Sequence, residues 1–283
     1  METLNFSSIS KNSIKEVAIG GFDGVHYAHQ QLINRLNKNS GAVVVIENGQ
    51  SNLTPYNKRS EYIDKPIVLF DLNDIKKLQG REFIEKLIEL FPNLKKIVVG
   101  YDFHFGKDRG WSAYDLKKIF DGDIAIVEEV KLNDISVHSK IIRQHLINGD
   151  IEIVTKLLNH RYKIDGKHIR GQGLGKSEFV PTINIETQRY LMPKEGVYVS
   201  VSTISNKKYH SITFLGHRVT TDGSFAIETF VLDEGFNLDV ESIEIEFYSR
   251  IRDNQKFDSY PELKKQIEKD IENAREYFRT NQS

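Results

Sequence analysis

Two histidines three residues apart, His26 and His29, lie in the glycine-rich stretch Gly20-Gly21-Phe22-Asp23-Gly24-Val25-His26-Tyr27-Ala28-His29. Glycine lets a backbone approach an anion closely, and unpaired N–H groups at a helix start, with imidazoles beside them, stabilise phosphate charge. The stretch therefore reads as a phosphate site. A surface turn carrying two incidental histidines is the other reading of the same residues. A second glycine-rich run, Gly171-Gln172-Gly173-Leu174-Gly175-Lys176-Ser177, ends like a P-loop. Its register excludes one, because Arg170 stands where the first glycine is required and Pro181 restricts the residue before it. Asp102 and Arg109 fall in a loop after the apolar run Ile97-Val98-Val99, the place where open α/β sheets bind ligands.

The elements that must hold these residues follow from hydrophobic period. Ile14, Val17, Ala18 and Ile19 predict a buried strand before the first turn, and Leu32, Ile33 and Leu36 predict a helix after it. Ala42 to Ile46 and Ile67 to Phe70 read as further buried strands, with a polar, loop-like segment from Glu47 to Lys65 between them. Phe83, Ile84, Leu87, Ile88 and Phe91 stripe a helix ending before Pro92. Ser112 can cap a helix through about Phe120, Ile124 to Val127 is a strand, and a helix opens near Ser136 to Arg143. Phe103 and Phe105 read as core aromatics. This alternation is that of a doubly wound α/β domain.

Gly149 stops that helix, and Asp150 caps a short one bearing Ile153, Val154, Leu157 and Leu158. Beyond it the pattern changes. From Tyr162 to Arg252 short β-branched and aromatic runs alternate with turn residues, as in 196–201, 211–215, 225–231 and 243–247. A small antiparallel barrel is the economical way to close such a meander. Ser259 and Glu262 have capping-box spacing, and Leu263, Ile267, Ile271, Ala274 and Phe278 stripe a terminal helix. The expected domains are 1–159 and 160–283.

The chain has 283 residues, a formal net charge of −1 and no cysteine. Its mixed charges give no support to general nucleic-acid binding, and the missing cysteine excludes disulfides and thiolate metal sites. No apolar run reaches membrane-spanning length, and Met1 to Asn5 lacks the features of a signal peptide. A cytoplasmic location without membrane or nucleic-acid partners is expected; protein partners stay open.

The stretch Phe22 to His29 resembles the N-terminal signature of bacterial bifunctional riboflavin kinase/FMN adenylyltransferases, with Ala28 in place of a glycine. Gly100 to Gly106 resembles that family's Gly-x-Asp-Phe-x-Phe-Gly segment. Ser136 to Arg143 stands where related nucleotidyltransferases carry a Ser-Ser-Thr-x-x-Arg element, with His138 and Lys140 as departures. Pro181-Thr182-Ile183-Asn184 matches the flavokinase Pro-Thr-x-Asn motif outright, and Gly216 to Thr220 resembles its Gly-x-x-Pro-Thr. Glu47-Asn48-Gly49 replaces the usual Phe-x-Pro-x-Pro.

The resemblance implies a Rossmann-like nucleotidyltransferase domain followed by a small antiparallel β-barrel flavokinase domain with a C-terminal helix. It implies ATP-dependent phosphorylation of riboflavin to FMN, and adenylylation of FMN to FAD with release of pyrophosphate. The adenylyltransferase ATP site would comprise Gly21, Phe22, Asp23, His26, His29, Ser139 and Arg143, with Asp102 and Arg109 toward FMN. The kinase ATP site would comprise Gly171, Gly173, Gly175, Lys176, Thr182 and Asn184. Thr182 and Asn184 alternate along an extended segment, and two neutral oxygens with phosphate and water suit Mg²⁺. Glu228 would be the general base, although alternation alone would also leave it facing solvent. Arg252, in a segment similar to Arg-x-Glu-x-Lys-Phe, would lie on the flavin side. Two alternatives remain: a monofunctional riboflavin kinase with a degenerate first domain, and a non-catalytic flavin-binding regulator.

Overall fold

The computed structural model describes residues 2–4, 10–169, 182–187, 189–220, 223–233 and 241–281. They form two compact units, Met1–Ile141 and Ile142–Ser283. In chain order the first unit contains β1 (Glu2–Leu4), β2 (Glu16–Gly20), α1 (Tyr27–Ile33), β3 (Gly41–Glu47), β4 (Ile67–Asp71), α2 (Leu72–Ile75), α3 (Gly80–Leu90) and β5 (Lys96–Gly100). The short pair β6 (His104–Phe105) and β7 (Trp111–Ser112) follows, then β8 (Asp123–Val127) and the pair β9 (Lys131–Leu132) and β10 (Ile135–Ser136). Its main sheet has the order β1-β4-β3-β2-β5-β8. All neighbours are parallel except β1, which runs antiparallel to β4.

Strand period divides the core of this unit. Val17, Ile19, Val44, Val68 and Val99 pack on one face with Phe83, Ile84 and Leu87 of α3. Ala18, Val43, Val45, Leu69 and Val98 pack on the other with Leu32 and Ile33 of α1. Both faces are covered, so these strands read as continuous apolar runs. Strand β2 lies between β3 and β5. The chain order therefore reverses beside it, which opens a crevice at the carboxyl ends of β2 and β5.

Three local expectations change. The first helix ends at Ile33, and Leu36 is buried from the turns that follow. The segment expected to cap a helix at Ser112 is instead a 3₁₀ helix, Ala113–Lys118. Ser112 is nonetheless fastened to Asp115, whose Oδ2 accepts from both its backbone N–H and its hydroxyl. The polar segment after β3 contains a 3₁₀ turn, Tyr56–Glu61. Phe103 and Phe105 do join the core, stacked with ring centroids 5.5 Å apart.

Helix α4 (Ser139–Asn148) leads into the second unit, which continues with α5 (Ile151–Leu158), β11 (Lys163–Ile169), β12 (Ile183–Glu186), β13 (Gly196–Ile204), β14 (Lys207–His217), β15 (Phe225–Val231), β16 (Ser242–Asp253) and α6 (Tyr260–Thr280). The six strands close into an antiparallel barrel in the order β11-β12-β15-β14-β13-β16. Ile271 and Ala274 of α6 pack against Val199 and Ile212 on the barrel wall. The alternate residues Ser200, Ser202, Ser211, Thr213 and Thr229 are fully buried, and their hydroxyls bond one another at 2.8–3.2 Å. Each polar group is thereby satisfied, as burial requires. Residues 170–181, including Gly171, Gly173, Gly175 and Lys176, lie outside the described residues.

Candidate functional site

The turn after β2 is held in an unusual conformation. Phe22 has φ 50°, Gly24 φ 87° and Val25 φ 37°, values that side chains beyond glycine adopt only where packing over-determines them. Phe22 and Val25 are fully buried in the core, which supplies that constraint. The Asp23 carboxylate accepts the Leu53 and Thr54 backbone N–H groups at 3.0 Å each, and Gly24 N–H donates to Thr54 Oγ1 at 2.8 Å. Asp23 and Phe22 therefore build the turn; their side chains are turned inward. Gly21 is exposed, with nothing within 4 Å of where a Cβ would stand.

This construction presents the two imidazoles as a pair. The His26 and His29 rings stack with centroids 3.6 Å apart and an interplanar angle of 13°. His26 Nδ1 accepts the His29 backbone N–H at 3.3 Å, which leaves Nε2 of a neutral His26 ring carrying the proton. His29 Nδ1 is enclosed and has no partner among the described residues. Burial first, and then the charges of His26, Arg59 and His138, hold the His29 imidazole well below the ordinary histidine range. It is neutral near pH 7, and an arriving polyanion would favour its protonation.

Two further segments reach this crevice. Ser139, at the start of α4, donates its hydroxyl to the Asp23 carbonyl at 2.8 Å. His138 contacts Tyr101 Oη at 3.2 Å through Nε2, and its Nδ1 lies 3.8 Å from Asp102 Oδ2. Asp102 and Arg109 are both exposed in the loop after β5. Arg143 lies one turn beyond Ser139 on α4.

Sequence reading missed Arg59. Its guanidinium is fully buried, bonded to Glu47 Oε2 at 2.8 Å and to the Phe22 carbonyl at 3.3 Å. It thus ties the segment after β3 to the histidine turn. Burial works to raise the Glu47 pKa, but the Arg59 charge and hydrogen bonds outweigh it and the net shift is downward. A carboxyl lowered in this way stabilises the fold above its unfolded-state pKa, and that share is lost as pH falls through the folded value. Arg59→Met is expected to destabilise the first unit by about 3 kcal/mol, because it leaves Glu47 uncompensated. The denaturation midpoint of Trp111 fluorescence, from the one tryptophan in the chain, measures this. An unchanged midpoint would show that the pair does not fix the turn.

In the second unit, Asn184 on β12 and Glu228 on β15 are direct cross-strand partners. Alternation sends Ile227 and Thr229 inward and leaves Glu228 partly exposed. Arg218, just beyond β14, joins the two: Nε and Nη2 reach Glu228 Oε1 at 2.9 and 2.6 Å, and Nη2 reaches Asn184 Oδ1 at 2.8 Å. Thr182 is exposed immediately before β12. The Gly216–Thr220 and Arg252–Phe257 segments also come together. Asn254 Nδ2 donates to the His217 carbonyl at 2.8 Å, and Phe257 N–H donates to Thr220 Oγ1 at 3.2 Å. Arg252 holds the buried Asp270 carboxylate of α6, with Nη2 to Oδ2 at 2.8 Å.

The donor chemistry distinguishes what these sites could hold. Among the described residues, no group of three or more His, Cys, Asp or Glu side chains could cage a metal ion. Asn184 Oδ1 with the Thr182 hydroxyl is a sparse, neutral oxygen set, which fits an ion such as Mg²⁺ that keeps waters and takes oxygens from phosphates.

Comparison with known proteins assigns both halves. The riboflavin kinase family profile matches residues 158–278, and the FAD synthetase profile matches residues 8–141. The bifunctional riboflavin kinase/FMN adenylyltransferase of Buchnera aphidicola subsp. Schizaphis graminum is 32% identical, with 97% of this chain and 96% of that protein covered.

The chain belongs to the bifunctional riboflavin kinase/FMN adenylyltransferase family.

The Haemophilus influenzae member of this bifunctional family is 31% identical over 93% of this chain and 94% of its own. A solved structure from Streptococcus pneumoniae, named as a macrolide-efflux protein, superimposes with a TM-score of 0.82 at 30% identity, covering 95% of this chain and 96% of its own. Among the described residues here, no helix is long and apolar enough to cross a membrane. Within this family's pattern, Glu47 marks a local replacement with a structural use: where the Phe-x-Pro-x-Pro element is missing, a carboxylate neutralises buried Arg59.

Proposed function

We propose that the chain makes FAD from riboflavin in two ATP-dependent steps, phosphorylation in the region matched to riboflavin kinase and adenylylation chiefly in the region matched to FAD synthetase. The observation that carries this reading is the 32% identity to a bifunctional enzyme across 97% of the chain, spanning both motif sets in order.

In the kinase step the riboflavin 5′-hydroxyl oxygen attacks the γ-phosphorus of ATP, ADP leaves, and the hydroxyl proton passes to Glu228. Both Arg218 contacts go to Glu228 Oε1, which leaves Oε2 to accept that proton. Mg²⁺, held by Thr182 and Asn184, would neutralise phosphate charge and orient the transferring group. Gly171, Gly173, Gly175 and Lys176 are proposed for the ATP phosphates, and Arg252, kept in place by Asp270, for the flavin side.

In the adenylyl step an oxygen of the FMN phosphate attacks the α-phosphorus of a second ATP, and pyrophosphate leaves. The nucleophile is already an anion, so no base is needed. Catalysis then rests on stabilising the leaving charge. His26, His29, Ser139 and Arg143 are proposed for this, Gly21 for close backbone approach, and Asp102 and Arg109 for FMN. The orphaned His29 Nδ1 supports the assignment, since an enclosed polar atom without a partner is suited to a ligand. A cytoplasmic location fits a chain without cysteine.

Incubation with riboflavin, ATP and Mg²⁺, followed by chromatography, tests the reading. FMN should appear first and FAD after it. FMN without FAD would support a kinase alone, and neither product would refute both activities.

A further inference from the structure

Arg218 has no role in the mechanism above, yet every nitrogen of its guanidinium is engaged there. Nε and Nη2 hold Glu228 Oε1, Nη2 also holds Asn184 Oδ1, and Nη1 donates to Ser224 Oγ at 2.8 Å. Its backbone is clamped as well, because Arg218 N–H donates to the Ser224 carbonyl at 2.9 Å and Gly223 N–H donates to the Arg218 carbonyl at 3.1 Å. A rigid fork of positive charge thus spans one carboxylate oxygen and one amide oxygen. These are the kinds of oxygen a divalent cation also seeks.

We propose that Arg218 is a positioning residue of the kinase which holds the Glu228 carboxylate in place and occupies Asn184 Oδ1 until a divalent cation arriving with ATP takes that oxygen. The inference rests on the kinase reading given above. Guanidinium and metal ion cannot share Asn184 Oδ1 without placing like charges side by side, so the Nη2–Asn184 bond must yield. The Nε bond to Glu228 is separate and can persist. Arg218 therefore has two effects of opposite sign: it weakens metal binding, and it raises turnover by orienting the base. An arginine that served only the fold would not tighten metal binding when removed.

The test uses the full chain, Mn²⁺ and a non-hydrolysable ATP analogue, with bound Mn²⁺ followed by electron paramagnetic resonance. An Asn184→Ala chain subtracts the ions bound elsewhere. Arg218→Gln should bind Mn²⁺ roughly twentyfold more tightly, about the weight of one charged hydrogen bond, and should lose roughly a hundredfold in riboflavin kcat through misplacement of Glu228. Arg218→Lys separates bridging from net charge: it keeps the charge but not the fork, so it too should bind Mn²⁺ more tightly while losing less turnover. If Arg218→Gln unfolds the barrel, the lysine variant decides the matter alone. Unchanged or weaker Mn²⁺ binding in a folded variant overturns the proposal, as does an Arg218→Gln chain with wild-type kcat. A wild-type chain inactive on riboflavin would instead refute the kinase reading, whatever the Mn²⁺ data show.

Discussion

Glu228→Gln is expected to slow riboflavin phosphorylation roughly a thousandfold while leaving FMN adenylylation at the wild-type rate. The substitution is nearly isosteric. A glutamine oxygen can still accept from Arg218, so the contacts at 2.6 and 2.9 Å have a surviving acceptor. What disappears is the capacity to take the hydroxyl proton. A drop of this size with an unchanged melting temperature identifies chemistry, whereas a loss that tracks unfolding would point to the Arg218–Glu228 pair as a strut. Rates of FMN formation from riboflavin, and of FAD formation from supplied FMN, give the two readouts. A kinase rate within tenfold of wild type would remove Glu228 from the role of base.

His29→Ala should do the reverse, lowering FMN adenylylation roughly a hundredfold and sparing riboflavin phosphorylation. The ring lies against His26 at 3.6 Å and against Phe22 at 4.9 Å, and its Nδ1 has no partner among the described residues. Removing it takes away a group proposed to contact the leaving phosphates, at little cost in internal hydrogen bonds. Because burial and nearby positive charges disfavour its protonated form, His29 is a neutral ring near pH 7, and a bound triphosphate would favour its protonation. An adenylylation rate unaffected by the change would mean that the stacked pair is architectural.

How much of this was legible beforehand depended on the range of the interaction. The strand–turn–helix around Gly20 to His29 announced itself because period, glycine and histidine all lie within one short stretch. The barrel was legible for the same reason: Ile243, Ile245 and Phe247 alternate with glutamates, and each run is bounded by turn residues. β1 was not visible, since three residues cannot establish a period and its pairing with β4 is non-local. The helix expected through Leu36 stops early, although Leu36 is buried as its apolar character requires.

The charged contacts were least visible. Arg59 lies in the polar, loop-like segment after β3, where nothing local names its partners; only the fold brings Glu47 and the Phe22 carbonyl to it. Arg218 had a fainter signal, because it lies inside the Gly216 to Thr220 segment. Nothing in that segment says that its partners stand on β12 and β15. Asn184 and Glu228 were each picked out by motif, but their direct pairing follows from strand register, which depends on the closed barrel.

The proposed route from riboflavin to FAD requires two chemically independent sites acting in succession within one chain. Mixing equal amounts of the Glu228→Gln and His29→Ala chains with riboflavin, ATP and Mg²⁺, and following the flavins by chromatography, tests it most directly. The first variant alone should leave riboflavin unchanged, the second alone should stop at FMN, and the mixture should make FAD. A folded variant that has lost both activities, or a mixture that accumulates FMN without FAD, would contradict it.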